Sequence, residues 1–383
     1  MDEHLDFESL APYQDKDVRP VLNELKKHQA FLDMLRFVDT EAPQEKLLQL
    51  IDGISTIRDF QHRVVKPWLQ HFFRQTIDEL TCSGLDTLEK GQTHLFISNH
   101  RDIILDSAIL NLSLNDHNLP TAEIAIGDNL LKSSMVRAIT RLNKIFTVVR
   151  DAPPREMYRH ALRLSAYIRD RVAAKKSSIW LAQAEGRAKD GNDTTQQGLV
   201  KMLNLSNEGS FEEGFRPLRI RPMSLSYEYD PCDRFKLREL LAKAEGRKYD
   251  KKENEDYLNI ETGIIEYKGR VHLCIQPELQ DEIDGLADIA NINDKATALA
   301  ARIDRSIYRS YRLFDNNYIA YDLLHETNLW KEHYSKEKKE EFMAYVDKLC
   351  GGYPPMAREI LLKKYAYPLI NRQKAEREPP EAD

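Results

Sequence analysis

Three apolar runs in this sequence end in polar residues that a plain turn does not need. His94 to Ser98 runs into Asn99-His100-Arg101-Asp102, with Asp106 four residues further on. Ile145 to Val149 runs into Arg150-Asp151, and Ser178 to Ala182 leads to Glu185-Gly186-Arg187 followed by Lys189. An imidazole that is neutral near pH 7 can take a proton from an alcohol, and a carboxylate beside it can fix its tautomer. Guanidinium groups hold phosphate with paired donors. If the three run ends converge, an anionic alcohol can be bound and deprotonated in one place.

Convergence needs an architecture that puts strand ends on one edge. The runs named above, with Glu123 to Ile126, Ile220 to Ser226 and Val271 to Ile275, are short and β-branched and alternate with helical patterns. Between Val149 and Ser178, Met157, Ala161, Leu164, Ile168 and Val172 recur at helical spacing behind Pro153-Pro154, making a strand-helix-strand crossover. The expected fold class is α/β: a mixed, largely parallel sheet flanked by helices, with N-terminal and C-terminal helical additions. In such sheets ligands bind beyond the carboxyl ends of the strands. The spacing divides the chain into a helical region 1–80, an α/β domain 81–280, a helical region 281–370 and a polar tail 371–383. Lys243 to Asp256 reads as a charge-dense exposed loop. Within the first region Ile57 to Leu80 is an amphipathic stretch that Pro67 should kink or divide, expected to pack on the core. If it meets a membrane instead, Trp68, Phe72 and Phe73 are the side chains to do so.

Composition narrows the function classes. The net charge of −6, from 56 basic and 62 acidic residues, argues against a dedicated nucleic-acid binder, so any bound anion must be held locally. The four cysteines lack paired spacing, which suggests neither a zinc site nor a disulfide framework and fits a reducing cytosol. The acidic start Met1-Asp2-Glu3 does not read as a signal peptide, and no run of about 18 apolar residues is long enough to span a bilayer. If the protein works on lipid, it is expected to do so by peripheral contact from the cytoplasmic face of a membrane.

Four blocks, in order, resemble those of the glycerol-3-phosphate and 1-acylglycerol-3-phosphate acyltransferases. Asn99-His100-Arg101-Asp102-Ile103-Ile104-Leu105-Asp106 is similar to the family's His-and-Asp motif, and Ile145 to Arg150 to its apolar-to-Arg block. Glu185-Gly186-Arg187 resembles its Glu-Gly-x-Arg block with the arginine one place early, and Arg221-Pro222-Met223-Ser224-Leu225-Ser226-Tyr227-Glu228 its final block. The spacing departs from the family's in the first block too, where five residues rather than four separate His100 from Asp106. With Asp102 as a helix N-cap, Asp106 would lie one turn on, on the same face. Asp106 is the expected partner of His100, and Asp102 the alternative dyad carboxylate.

The resemblance implies transfer of a fatty acyl group from acyl-CoA or acyl carrier protein to the hydroxyl of glycerol-3-phosphate or a lysophospholipid, in phospholipid biosynthesis. It makes His100 the general base and Asp106 its orienting group, and it assigns Arg150, Glu185, Gly186, Arg187, Lys189 and Arg101 to the acceptor's phosphate. No cofactor or metal is expected. Two rivals use the same residues: a metal-dependent phosphohydrolase with His100, Asp102 and Asp106 as ligands, and a non-enzymatic adaptor that binds lipid phosphate on a degenerate acyltransferase fold.

Overall fold

The computed structural model of the protein describes residues 7–131 and 133–377. Among them, seven strands form one sheet: β1 (Ile77–Ser83), β2 (Leu95–Ser98), β3 (Glu123–Gly127), β4 (Ile145–Val148), β5 (Ile179–Ala182), β6 (Ile220–Tyr227) and β7 (Gly269–Ile275), in the spatial order β1-β7-β6-β2-β5-β3-β4. The five strands from β6 to β4 in that order run parallel, while β7 lies antiparallel to β6 and parallel to β1. The fold is the expected α/β class, with a mixed, largely parallel sheet. The carboxyl ends of β2, β4, β5 and β6 share one edge, so the segments after them are brought together by topology.

The central strands are apolar on both faces because both faces are covered. Alternate side chains of β2, β5 and β6 serve two cores. Leu95, Ile97, Ile179, Leu181 and Ile220 face the helices Pro154–Ala173 and Ile292–Ser310. Phe96, Trp180, Met223 and Leu225 face the helices Lys66–Thr76 and Leu105–Asp116. A third core joins the N-terminal helices to Leu142, and a fourth lies among Ile319, Phe342, Leu361 and Tyr365 of the C-terminal helices.

Several expectations are corrected here. The helical stretch from Ile57 stops at Thr76, and residues 77–80 belong to β1, so a boundary at residue 80 would cut an edge strand. The pairing of β1 with β7, some 190 residues away, overrides a local pattern that reads as helix. Pro67 does not break that stretch, which stays helical from Ile57 to Thr76 with a π-helical turn at Gln61–Val65 just ahead of the proline. Its aromatic side chains are taken up by packing: Phe73 is 8% exposed, and Phe72 lies between Trp68 and Phe37 at ring separations of 4.9 and 5.3 Å. The helix Met356–Arg377 runs through the first part of the expected tail 371–383, with Asn371 and Ala375 buried. Residues 378–383 of that tail, and the acidic start at residues 1–6, lie outside the described residues.

Candidate active site

The loop after β2 is pinned before the helix begins. Asn99 accepts from the Leu225 N–H at 2.8 Å and donates to the Leu225 carbonyl at 2.9 Å, which ties the end of β2 to β6. The helix Leu105–Asp116 starts only after a further turn, capped by Asp102, whose Oδ1 accepts from the backbone N–H groups of Ile104 and Leu105 at 2.9 and 2.8 Å. That turn absorbs the extra residue in the His-to-Asp spacing. Asp106, in the first turn of the helix, then reaches back over the loop.

Asp106 is fully buried and satisfied on both oxygens. Oδ2 receives His100 Nδ1 at 2.8 Å, Arg101 N at 2.6 Å and Asp102 N at 3.0 Å, while Oδ1 receives the Tyr227 hydroxyl at 2.7 Å. A carboxylate with this many donors is held in one orientation. With Nδ1 as the donor, a neutral His100 ring carries its lone pair on Nε2. Trp180 packs edge-on against the ring at 5.6 Å. Asp102 does not touch His100. It is the capping group, and burial, then the Asp106 charge, push its carboxyl above the usual range.

His100 lines a cavity of about 630 Å³. Its walls are apolar on one side, with Val64, Trp68, Leu69, Ile104, Ile126 and Ile139, and its mouth carries Arg150, Glu185, Arg187 and Lys189. His100 also lines a second pocket, of about 290 Å³, formed mainly by residues of segment 183–196, Arg187 among them. Arg150 pairs with Glu185 at 2.9 Å, and its side chain occupies space that a Cβ on Gly127 would fill. Lys189 pairs with Glu239 at 3.1 Å. Arg187 differs: both of its terminal nitrogens donate to the neutral Asn259 Oδ1 at 3.1 Å. Of these three cations it alone is held by an amide rather than by a carboxylate, which leaves its charge available to an anion. Gly186 takes φ +75°, a left-handed conformation that turns the chain between Glu185 and Arg187.

Residues 79–207 match the family model described as Acyltransferase. This segment is an acyltransferase-like domain. No curated protein matches the chain at a significant level. Among solved structures, the 1-acyl-sn-glycerophosphate (LPA) acyltransferase PlsC of Thermotoga maritima is 13% identical, over 74% of this chain and 92% of that one, with a TM-score of 0.38. Chloroplast FtsY of Physcomitrella patens is 14% identical over 54% and 69%, with a TM-score of 0.20. Likenesses this low say nothing of the activity.

Within the acyltransferase-like domain the structure brings His100, Arg150, Glu185, Gly186, Arg187 and Lys189 to the lining of one cavity, with Asp106 buried behind His100. It sends Arg101 elsewhere. That guanidinium is buried against Asp193 at 2.5 Å and the Gly191 carbonyl at 3.3 Å, away from the cavity lining, so it is not a phosphate ligand. Burial alone would lower its pKa, but Asp193 and Asp230 hold it above the ordinary arginine value. The metal-ligand reading of His100, Asp102 and Asp106 also fails on geometry. Asp102 caps the helix, Asp106 is already saturated with donors, and no group of three metal-ligating side chains occurs among the described residues.

Three contributors escaped the sequence reading. Tyr227, which entered only as a member of the final block with no role of its own, bonds the dyad carboxylate. Asn259 and Gly263 come from a helix, Glu255–Ile265, that carried no motif. Gly263 lies so close to Asp102 that a Cβ there would overlap its carboxylate, which lets the helix close over the site. No spacing in the sequence signals that approach.

Proposed function

We propose that the protein transfers a fatty acyl group from a thioester, acyl-CoA or acyl carrier protein, to the hydroxyl of glycerol-3-phosphate or a lysophospholipid such as 1-acylglycerol-3-phosphate. The observation that carries this reading is an oriented His-Asp pair at the junction of an apolar cavity and a polar mouth. Hydrocarbon is favoured in the cavity and an anionic head at the mouth, so the reacting carbonyl and hydroxyl meet at the imidazole. His100 Nε2 takes the hydroxyl proton as the oxygen attacks the thioester carbonyl. Asp106 steadies the imidazolium, and the proton passes to the departing thiolate as the tetrahedral adduct collapses. Arg187, with Arg150 and Lys189 beside it, holds the acceptor's phosphate.

Peripheral contact with the cytoplasmic face of a membrane is part of the same proposal, since the long-chain product partitions into lipid. No helix of the described residues is long and apolar enough to cross a bilayer. With Trp68 and Phe73 turned inward, the surface for that contact is the helix Glu255–Ile265 at the cavity mouth, which exposes Tyr257, Leu258 and Ile265.

The test is thiol release from acyl-CoA and from acyl-loaded carrier protein, with glycerol-3-phosphate, 1-acylglycerol-3-phosphate or an amino-lipid as acceptor. Acceptor-dependent release, lost in a folded His100→Ala variant, is expected. Binding of acceptor with no thiol release from either donor would instead favour the adaptor reading.

A further inference from the structure

Two peptide groups carry the backbone support of Asp106, and each is gripped from behind. The His100–Arg101 peptide donates its N–H to Asp106 Oδ2 at 2.6 Å, and its carbonyl accepts from the Ala188 N–H at 2.8 Å. The Arg101–Asp102 peptide donates to the same oxygen at 3.0 Å, and its carbonyl accepts from Lys236 Nζ at 2.8 Å. Hydrogen bonds in series polarise one another, and more strongly where water is excluded. An ammonium on the carbonyl therefore strengthens the N–H at the other end of the same peptide. The chain from Lys236 through that peptide to Asp106 ends on His100 Nδ1.

Lys236 lies on the helix Asp233–Ala244, outside the matched segment 79–207, and is 2% exposed. Burial lowers its pKa while Asp230, at 2.8 Å, supports the charged form. Asp230 also pairs with Lys364 of the C-terminal helix, which pairs in turn with Asp233, and Asp233 accepts from the hydroxyls of Tyr345 and Tyr365 at 2.7 and 2.6 Å. With Arg101 and Asp193, three buried cations face three buried carboxylates. Buried ion pairs contribute little net stability compared with apolar packing of the same volume. What an apolar side chain at position 236 cannot do is bond the Arg101 carbonyl.

We propose that Lys236 is a positioning residue for His100, acting through the Arg101–Asp102 peptide on the Asp106 carboxylate. The C-terminal helices, which carry Lys364, Tyr365 and Tyr345, thereby support the catalytic loop. The effect on turnover rests on the acyl-transfer reading; the effect on the His100–Asp106 bond does not.

The test uses the full chain with Lys236→Met, and with Lys236→Met/Asp230→Asn, which removes one cation and one carboxylate and keeps the buried charges balanced if the single variant does not fold. The first readout is the downfield proton resonance of His100 Nδ1–H, identified by its absence in His100→Ala. The second is steady-state kinetics with acyl-CoA and glycerol-3-phosphate. In the folded variant the resonance should move upfield. Turnover should fall at least ~10-fold, with both Michaelis constants within ~2-fold, the pattern of an interaction that matters only in the transition state. A folded variant with an unmoved resonance overturns the proposal, whatever its turnover. If wild type transfers no acyl group to any acceptor, the acyl-transfer reading fails, and the resonance alone then decides the role of Lys236.

Discussion

Tyr227→Phe removes one oxygen from the candidate site and little else. Tyr227 is 7% exposed, its hydroxyl donates to Asp106 Oδ1 at 2.7 Å, and burial pushes its pKa well above the usual tyrosine value, so it is a proton donor at any working pH. The other three donors to Asp106 all meet Oδ2. The substitution keeps the ring, so the packing cost is small, and the vacated space is too small to admit a water in place of the hydroxyl. One oxygen of a fully buried carboxylate is left without a donor. A hydrogen bond to a charged group contributes about 1.5–3 kcal/mol, so stability should fall by about 2 kcal/mol, roughly 30-fold in the folding constant. Equilibrium urea denaturation, followed by tryptophan fluorescence with Trp180 close to the His100 ring, measures this directly. Thiol release from acyl-CoA should fall at the same time, because Asp106 loses the bond that sets its rotation. A loss under about 0.5 kcal/mol with unchanged turnover would refute the reasoning, because the carboxylate would then be held without β6.

Asp106→Asn should cost far more turnover than Asp102→Asn, since only Asp106 reaches His100, whereas the Asp102 variant keeps an acceptor for the helix cap; steady-state rates of the two folded variants decide. Arg187→Ala should raise the Michaelis constant for a phosphate-bearing acceptor and leave that of the acyl donor near wild type, and a rise confined to the donor would contradict the assignment. Asp304 is raised from 3.8 to about 6 by burial, against the opposing bonds from Thr195 N and Oγ1, both of which meet Oδ1. Because its folded pKa lies above the unfolded one, its contribution to stability is present below about pH 3.8 and is lost as pH rises through about 6. Asp304→Asn keeps the acceptor oxygen and should therefore be more stable than wild type at pH 7, by no more than roughly 3 kcal/mol at about 1.4 kcal/mol per pKa unit, with the gain vanishing near pH 4. Denaturation midpoints at the two pH values check both the sign and the window.

The parallel core of the fold was legible because its signal is local. Runs such as Leu95 to Ile97 and Ile179 to Leu181 are continuous and apolar, as strands covered on both faces must be, and the proline pair at 153–154 marks the start of the crossover helix. The residue types at the run ends were legible for the same reason: chemistry needs His, Asp and Arg at strand ends, and few other demands put them there. β1 was not legible. Its Ile77–Ser83 segment becomes a strand only because β7 offers an edge, and no window of the sequence contains both.

The sequence by itself determined which side chains the site has to work with, and the strand periodicity that carries them to one edge of a sheet. The tertiary structure decided what each of them touches there. Asp102 and Asp106 share one short loop, and the choice between them came from the capping turn that gave Asp102 to the helix start and left Asp106 facing the imidazole. Arg101 and Arg187 are both arginines beside motif residues. One was drawn inward because Asp193 waits behind it, 92 residues away along the chain, and the other was left at the mouth because its neighbour on the helix Glu255–Ile265 is the neutral Asn259. Such outcomes depend on pairings between residues remote in sequence, whose free energies exist only once packing has excluded water and fixed the distances.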